Sequence, residues 1–382
     1  MQPPFYDPNL SYQQNYDLGP FGLFLEEPSA EEQVELDLPE QEWAEVAGLR
    51  LRRRIGIPAG PLLNSKFTDA AFKWGYDLCH YKTVRSREWP SHDSPNVLYV
   101  HATSPIEPYL IGQNKLVARP FADGEIVDLQ HLSITNSFGM PAQPPAHWQA
   151  DMERAARGAG AGQALIGSVT GTLEEGGDAD DLVKDHARAA AMCTEAGAHA
   201  VEVNLSCPNL GGHGLMCHDP EASARVCQAA RKAIGELPLF AKLGNYMPSP
   251  AGEETLRRVV EATAPWVQGY GAVNAVPVPV ITQDGSRALS GEDRALAGVC
   301  GAALRATGLD VVARLANIRH EKGYSFAIIG VGGLLTPENY REYIQAGADA
   351  VQGATGPMWN VRLAVEIARV LKAKEKQVSM AR

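Results

Sequence analysis

Eight short apolar runs recur along the chain, and each ends in small or polar residues. They are IGIPAG (55–60), LCHYKT (78–83), ALIGSVTG (164–171), AVEVNLS (200–206), LFAKLG (239–244), YGAVNAV (270–276), FAIIGVGG (326–333) and AVQGAT (350–355). Most are separated by helical stretches of about 12 to 18 residues. βα units around a parallel sheet produce that alternation, because strands covered on both faces are apolar throughout while their helices are apolar on one side. Eight units predict an α/β protein with a (β/α)8 TIM barrel. The helix ends agree. In HDPEASARVCQAARKAIGE, Asp219 is a natural N-cap and Pro220 fits the first helical turn, where its missing N–H costs nothing. TPENYREYIQAG repeats the device with Thr336 and Pro337, and Gly347 is placed to end the helix in a left-handed turn.

Two stretches break the rhythm. Residues 1–45 are rich in Pro, Tyr, Gln and Glu without a clean period, and they read as an N-terminal extension laid over a barrel of residues 46–382. Residues 84 to about 163 form an insertion after the second run, too long for a plain connection and containing SITNSFGMP (133–141). Insertions of that length are more often functional than decorative.

Composition narrows the function classes. The chain has 382 residues, 45% hydrophobic and 21% charged, which suits a globular protein with a sizeable core. A formal net charge of -11 argues against nucleic-acid and anionic-membrane partners, since both call for basic surfaces. No stretch approaches the roughly 20 apolar residues of a spanning helix, and MQPPFYDPNLSYQQ does not read as a signal peptide. The six cysteines are scattered without C-x-x-C spacing, which predicts no metal or iron–sulfur site, no disulfide framework and a reduced, cytoplasmic home. Cys193, Cys227 and Cys300 lie in helical patterns and read as core; Cys217 lies in a loop and is less easily placed.

In a parallel barrel the active site gathers where the strands end. The eight runs bring Gly60, Lys82 with Thr83, Ser168, Asn204 with Cys207, Lys242, Asn274, Gly332 with Gly333, and Ala354 with Thr355 to that mouth. A single lysine at a strand end is usually solvated. Several lysines and amides converging on one mouth are costly unless they meet a polar ligand. GVGG followed by GATG on the last two runs predicts a phosphate site, since glycines let backbone N–H groups close on an anion. Cys207 stands between two asparagines, before a proline and the glycine-rich NLGGHG. Buried structural thiol is the commonest fate of a cysteine, but at a mouth a thiol of ordinary pKa near 8.5 can also move a proton near neutral pH.

The motifs HYKT, NSFGMP, NLSCPN, FAKL, VNA, GVGG and VQGAT together resemble the dihydroorotate dehydrogenase family, from about residue 45 to 370. The chain also resembles the flavin- and pyrimidine-binding domain of dihydropyrimidine dehydrogenase, in FAKL and in the loop GGHGLMCHDPE. The resemblance implies FMN at the barrel mouth and a pyrimidine-like substrate, most simply dihydroorotate oxidised to orotate. It implies Cys207 as the base acting on the ring, and Lys242 at the flavin N1/O2 edge. Lys82 would reach both flavin and substrate. Asn136, Asn204, Asn209 and Asn274 would hydrogen-bond the ring. Gly332, Gly333, Ala354 and Thr355 would take the phosphate, and Gly60, Thr83, Ser168, Asn204 and Gly291 would complete the cofactor site. A homodimer and a separate electron-transfer partner are the accompanying partner expectations.

Four departures bear on the substrate more than on the flavin. Ala275 stands where the family usually has Ser or Thr, and REWPSHDSPN replaces the expected G-N-P-x-P-R stretch. LSG (289–291) lacks the paired glycines before it, and Ala354 replaces a phosphate-loop glycine. Three further readings stay open: reduction of another ring or enone on the same flavin, a barrel that binds flavin or phosphate without turnover, and a subunit active only with an electron-transfer partner. RNA dihydrouridine synthases share the barrel and flavin but would need a basic face. The electron acceptor and the oligomeric state are not legible in the sequence.

Overall fold

A computed structural model describes residues 4–102, 115–122, 124–206, 215–291 and 294–380. The eight apolar runs form eight strands: Ile55–Ile57, Leu78–His80, Ala164–Val169, Ala200–Asn204, Leu239–Lys242, Gly269–Ala272, Ala327–Val331 and Ala350–Gln352. Each pairs in parallel with its neighbours in chain order, and the eighth pairs with the first to close the barrel. The expected (β/α)8 architecture is therefore present.

Period-two alternation divides each strand between the barrel axis and the helical layer. Leu78, Ile166, Ala200, Phe240 and Ile329 fill the lower interior. Val201, Val203, Leu165 and Tyr270 face the helices instead. Gly269 makes room for Phe240, since a Cβ there would lie 2.6 Å from its ring. Below this layer, the hairpin of Ala44–Val46 and Leu49–Leu51 plugs the barrel's N-terminal end with Val46, Leu49 and Leu51. Each such side chain, fully buried, contributes roughly 1.5–3 kcal/mol of transfer free energy.

The helix ends follow the sequence signals. Asp219 caps Pro220–Ile234 by accepting from the Glu221 and Ala222 N–H groups. Thr336 caps Pro337–Gln345 through the Asn339 N–H, and Gly347 follows at φ +105°. Cys193 and Cys227 are buried in helices, as expected. Cys217 is buried as well, its Sγ accepting from the Gly244 N–H at 3.3 Å.

Cys300 is a correction. It lies in the strand Ala297–Gly301, half-buried on a cavity wall, and not in a core helix. The long insertion after the second strand is present, with a nearer end. Its last part, Pro145–Gly158, is the barrel helix that follows the second strand, so the excursion proper ends before it. The excursion contributes the strands Tyr99–His101, Leu116–Arg119 and Ser133–Asn136. A second excursion after the sixth barrel strand supplies Val276–Val278, Val280–Ile281 and Ala297–Gly301, and all six join in one mixed sheet. Arg294 ties the two excursions together, donating to Ser137 Oγ (3.1 Å), Asp93 O (2.8 Å), Pro95 O (2.6 Å) and Asn96 Oδ1 (3.1 Å).

The N-terminal segment has more order than its composition suggests. Tyr12–Leu18 and Ala30–Leu36 are short helices, each opened by a capping box, Ser11 with Gln14 and Ser29 with Glu32. The segment is anchored by the Phe5 N–H on Met358 O (3.0 Å) and by the stack of Phe5 on Phe24 at 4.3 Å. These contacts carry the neighbouring Tyr6 to the barrel mouth.

Candidate active site

Above the apolar layer, the inward positions turn polar. His80, Ser168, Glu202 and Lys242 are all buried there, contributed by four successive strands. Strand register sets Asn204 beside Lys242 and Lys242 beside Gly271. Gly271 is required at that point, because a Cβ would lie 2.8 Å from Glu202 Oε2 and 3.0 Å from Lys242 Cδ.

Two joined lobes open over this layer, sharing Gly60, Asn136, Phe138, Lys242, Asn274 and Ala275. The first, with about 720 Å³ of empty space, reaches Gly332, Gly333, Ala354 and Thr355 at the ends of the last two strands. Its glycines need their backbone freedom. Gly333 has φ +65°, and a Cβ there would lie 2.7 Å from Arg305 Cβ and 3.0 Å from Gly301 O. Gly332 has φ +128°. The second lobe is walled by Lys82, Thr83, His92, Ser168, Glu202 and Asn204.

The amides in the second lobe are fixed before any ligand arrives. Asn204 Oδ1 accepts from the Ser206 N–H (3.0 Å) and from Asn274 Nδ2 (3.3 Å), while Asn274 Oδ1 accepts from the Ala275 N–H (2.8 Å). Thr83 and Ser168 hydroxyls lie 3.4 Å apart. Of the expected site residues, Gly60, Lys82, Thr83, Asn136, Ser168, Asn204, Lys242, Asn274, Gly332, Gly333, Ala354 and Thr355 all line one lobe or both. Gly291 lines neither and sits beside the Arg294 side chain. Cys207 and Asn209 lie outside the described residues.

Sequence reading passed over several lining residues. Tyr6 and Cys300 wall the first lobe, and neither position carries a local signal of that role. His92 lines the second lobe from inside the divergent stretch REWPSHDSPN, its Nδ1 3.2 Å from Ser137 O. His80 and Glu202 were visible in principle, as ionisable residues at inward positions of apolar strands.

Burial shifts the charged groups here. It presses the Lys82 ammonium down to about 8, assisted by the positive charge of Arg85. For Glu202, burial alone would favour the neutral acid, but Lys242 first, then His80 and the Ser168 hydroxyl, outweigh it and hold the carboxyl at about 2. The Lys82 shift has a direct consequence. A lysine whose folded pKa is depressed binds fewer protons in the folded than in the unfolded chain between about pH 8 and its ordinary 10.5, so its penalty on stability fades as pH rises through that window. Lys82→Met is thus expected to be more stable than the parent at neutral pH, on the order of 3 kcal/mol. That advantage should shrink towards pH 10.5. Urea unfolding of the ligand-free pair at several pH values checks this; a difference independent of pH would contradict it.

A parallel barrel whose strand ends combine a glycine cradle, paired amides and two buried lysines is an enzyme-type site for a small molecule. Comparison with known sequences makes the class specific. The sequence profile of the family described as dihydroorotate dehydrogenase matches residues 126–374. A dihydroorotate dehydrogenase of Dictyostelium discoideum is 32% identical over 367 residues, covering 95% of this chain and 96% of its own. A dihydroorotate dehydrogenase (quinone) of Paracidovorax citrulli is 26% identical over 349 residues, 86% of this chain and 85% of its own. The catalytic subunit of a dihydroorotate dehydrogenase B (NAD(+)) of Methanocaldococcus jannaschii is 33% identical over 157 residues, 41% of this chain and 47% of its own. The chain belongs to the dihydroorotate dehydrogenase family, and it is an oxidoreductase acting on CH–CH bonds. No helix among the described residues is long and apolar enough to cross a membrane.

Proposed function

We propose that this protein is an FMN-dependent dihydroorotate dehydrogenase, with residues 46–382 as the FMN-binding barrel and residues 1–45 as an extension that adds Tyr6 to its wall. The observation that carries the reading is Lys242. Its Nζ is buried, faces the floor shared by both lobes and has no hydrogen-bond partner. A buried ammonium whose N–H groups find no acceptor is expensive even with the Glu202 carboxylate 4.0 Å away, and an electron-rich ring edge lying across both lobes would satisfy it. The backbone around Gly332, Gly333, Ala354 and Thr355, with both glycines at positive φ and all four residues on the wall of the first lobe, suits the phosphate end of such a cofactor. When bound, FMN would supply the hydride acceptor, at N5.

The residues of the chain would do the rest. Asn204 and Asn274, held in fixed orientation, and Asn136 on the same wall offer amides to the carbonyl and N–H groups of the substrate ring. Lys82, charged below about pH 8, suits an anionic ring substituent in the second lobe. Cys207 would take the ring-carbon proton while hydride leaves the adjacent carbon, so that dihydroorotate loses two hydrogens and becomes orotate. The cofactor is tested by heat-releasing the chromophore from purified protein and comparing it with FMN and FAD standards. One FMN per chain is expected. A dinucleotide flavin would refute the single-phosphate cradle.

A further inference from the structure

Lys242 and Glu202 cross the barrel axis side by side, on adjacent parallel strands. Glu202 Oε2 lies 4.0 Å from Lys242 Nζ, and neither atom has a hydrogen-bond partner. The other oxygen accepts from the Ser168 hydroxyl at 3.4 Å, and His80 Nδ1 lies 3.3 Å from it without making a hydrogen bond. Glu202 is 1% exposed and Lys242 6%. The absence of a side chain at Gly271 is what lets the two meet.

The charges that face this point are few. From the second strand come His80 and, higher in the second lobe, Lys82; from the fourth comes Glu202; His92 reaches the second lobe from the first excursion. The sixth strand contributes Gly271 and the eighth the uncharged Gln352, whose Nε2 donates to Leu78 O. Among the described residues lining either lobe, Glu202 is the only carboxylate.

We propose that Glu202 is the positioning residue for Lys242: its carboxylate, steadied by Ser168, is the counter-charge that favours the ionised ammonium and draws it to the floor of the mouth. Without that counter-charge burial would press the ammonium's pKa lower still, because desolvation disfavours the charged form and no other carboxylate among the described residues lines the lobes to oppose it. Glu202 thus acts through Lys242 and touches neither ring. Its importance to the reaction rests on the flavin lying against Lys242, as proposed above.

The charge on Lys242 can be followed without any flavin. In ligand-free protein carrying isotope-labelled lysine, the Cε resonance of Lys242 is assigned by its loss in Lys242→Met and then titrated. In Glu202→Gln the titration midpoint of Lys242 should fall by roughly one pH unit or more, the usual worth of an opposite charge at this distance. Lys82, which is perturbed by Arg85 rather than Glu202, should keep its midpoint. Glu202→Asp, one methylene shorter, should give a smaller fall and serves if Glu202→Gln does not fold. An unchanged Lys242 midpoint in either folded variant would overturn the proposal. In flavin-loaded Glu202→Gln, the flavin potential should drop below that of the parent at pH values above the lowered midpoint. A moved midpoint with an unmoved potential would uphold the anchoring role and remove the flavin from beside Lys242, so the two readings fail separately.

Discussion

Replacing Cys207 by alanine is expected to slow reduction of the flavin by dihydroorotate roughly 10²- to 10⁴-fold, the usual worth of a positioned base. Oxidising the ring removes a proton from one carbon while hydride leaves its neighbour. The base must therefore stand on the ring face away from the hydride acceptor. Cys207 directly follows Ser206, three residues after Asn204, and within NLSCPN it is the only residue with a pKa suited to the task. Asn204, whose amide is fixed on the second lobe, stays in place in the variant. Binding of FMN and of the ring should therefore survive while the chemical step slows. With a thiolate as the proposed base, the parent rate should climb from pH 6 towards the thiol pKa and then level off, and Cys207→Ser should retain some activity shifted to higher pH. Anaerobic rapid mixing measures this step directly. Reduction of Cys207→Ala at the parent rate would make Cys207 a structural thiol.

Gly333→Asp should purify almost free of flavin. Two effects act together. Gly333 has φ +65°, where a side chain strains the backbone, and its Cβ would crowd Arg305 Cβ at 2.7 Å. The carboxylate would also stand against the cofactor phosphate, and such like-charge contact costs several kcal/mol, or about 10²-fold or more in affinity. Gly333→Ala separates the two, since it imposes the strain without the charge and should keep more cofactor than the aspartate variant. Absorbance of the flavin per protein, with circular dichroism to confirm folding, is the readout. Full occupancy in Gly333→Asp would move the phosphate elsewhere.

The barrel was legible because its strands are buried on both faces. Such strands read as continuous apolar runs, and the polar residues that end them are the ones that must reach the mouth. The mixed sheet over the mouth was not legible. Its strands are two to five residues long, and Ser133–Asn136 pairs with Ala297–Gly301 across about half the barrel's sequence. Neither strand has enough length to show a period, and register across such a separation leaves no local trace. Cys300 was misread for the same reason. The small, apolar stretch ALAGVCGAALRATG continues into the helix Arg305–Lys322, and nothing local marks where strand gives way to helix. Tyr6 is the opposite case, a residue whose role depends entirely on where Phe5 and Phe24 anchor the chain. Glu202 could have been found, since a carboxylate at an inward position of VEVN demands a partner.

We propose that one mouth holds FMN and oxidises dihydroorotate against it. Anaerobic addition of (S)-dihydroorotate to the purified, flavin-loaded protein tests it in a single turnover with no electron acceptor to identify. The long-wavelength flavin band should bleach, and orotate should appear in an amount equal to the flavin reduced. A flavin that stays oxidised with dihydroorotate, but bleaches with a different dihydropyrimidine, would contradict the assigned substrate.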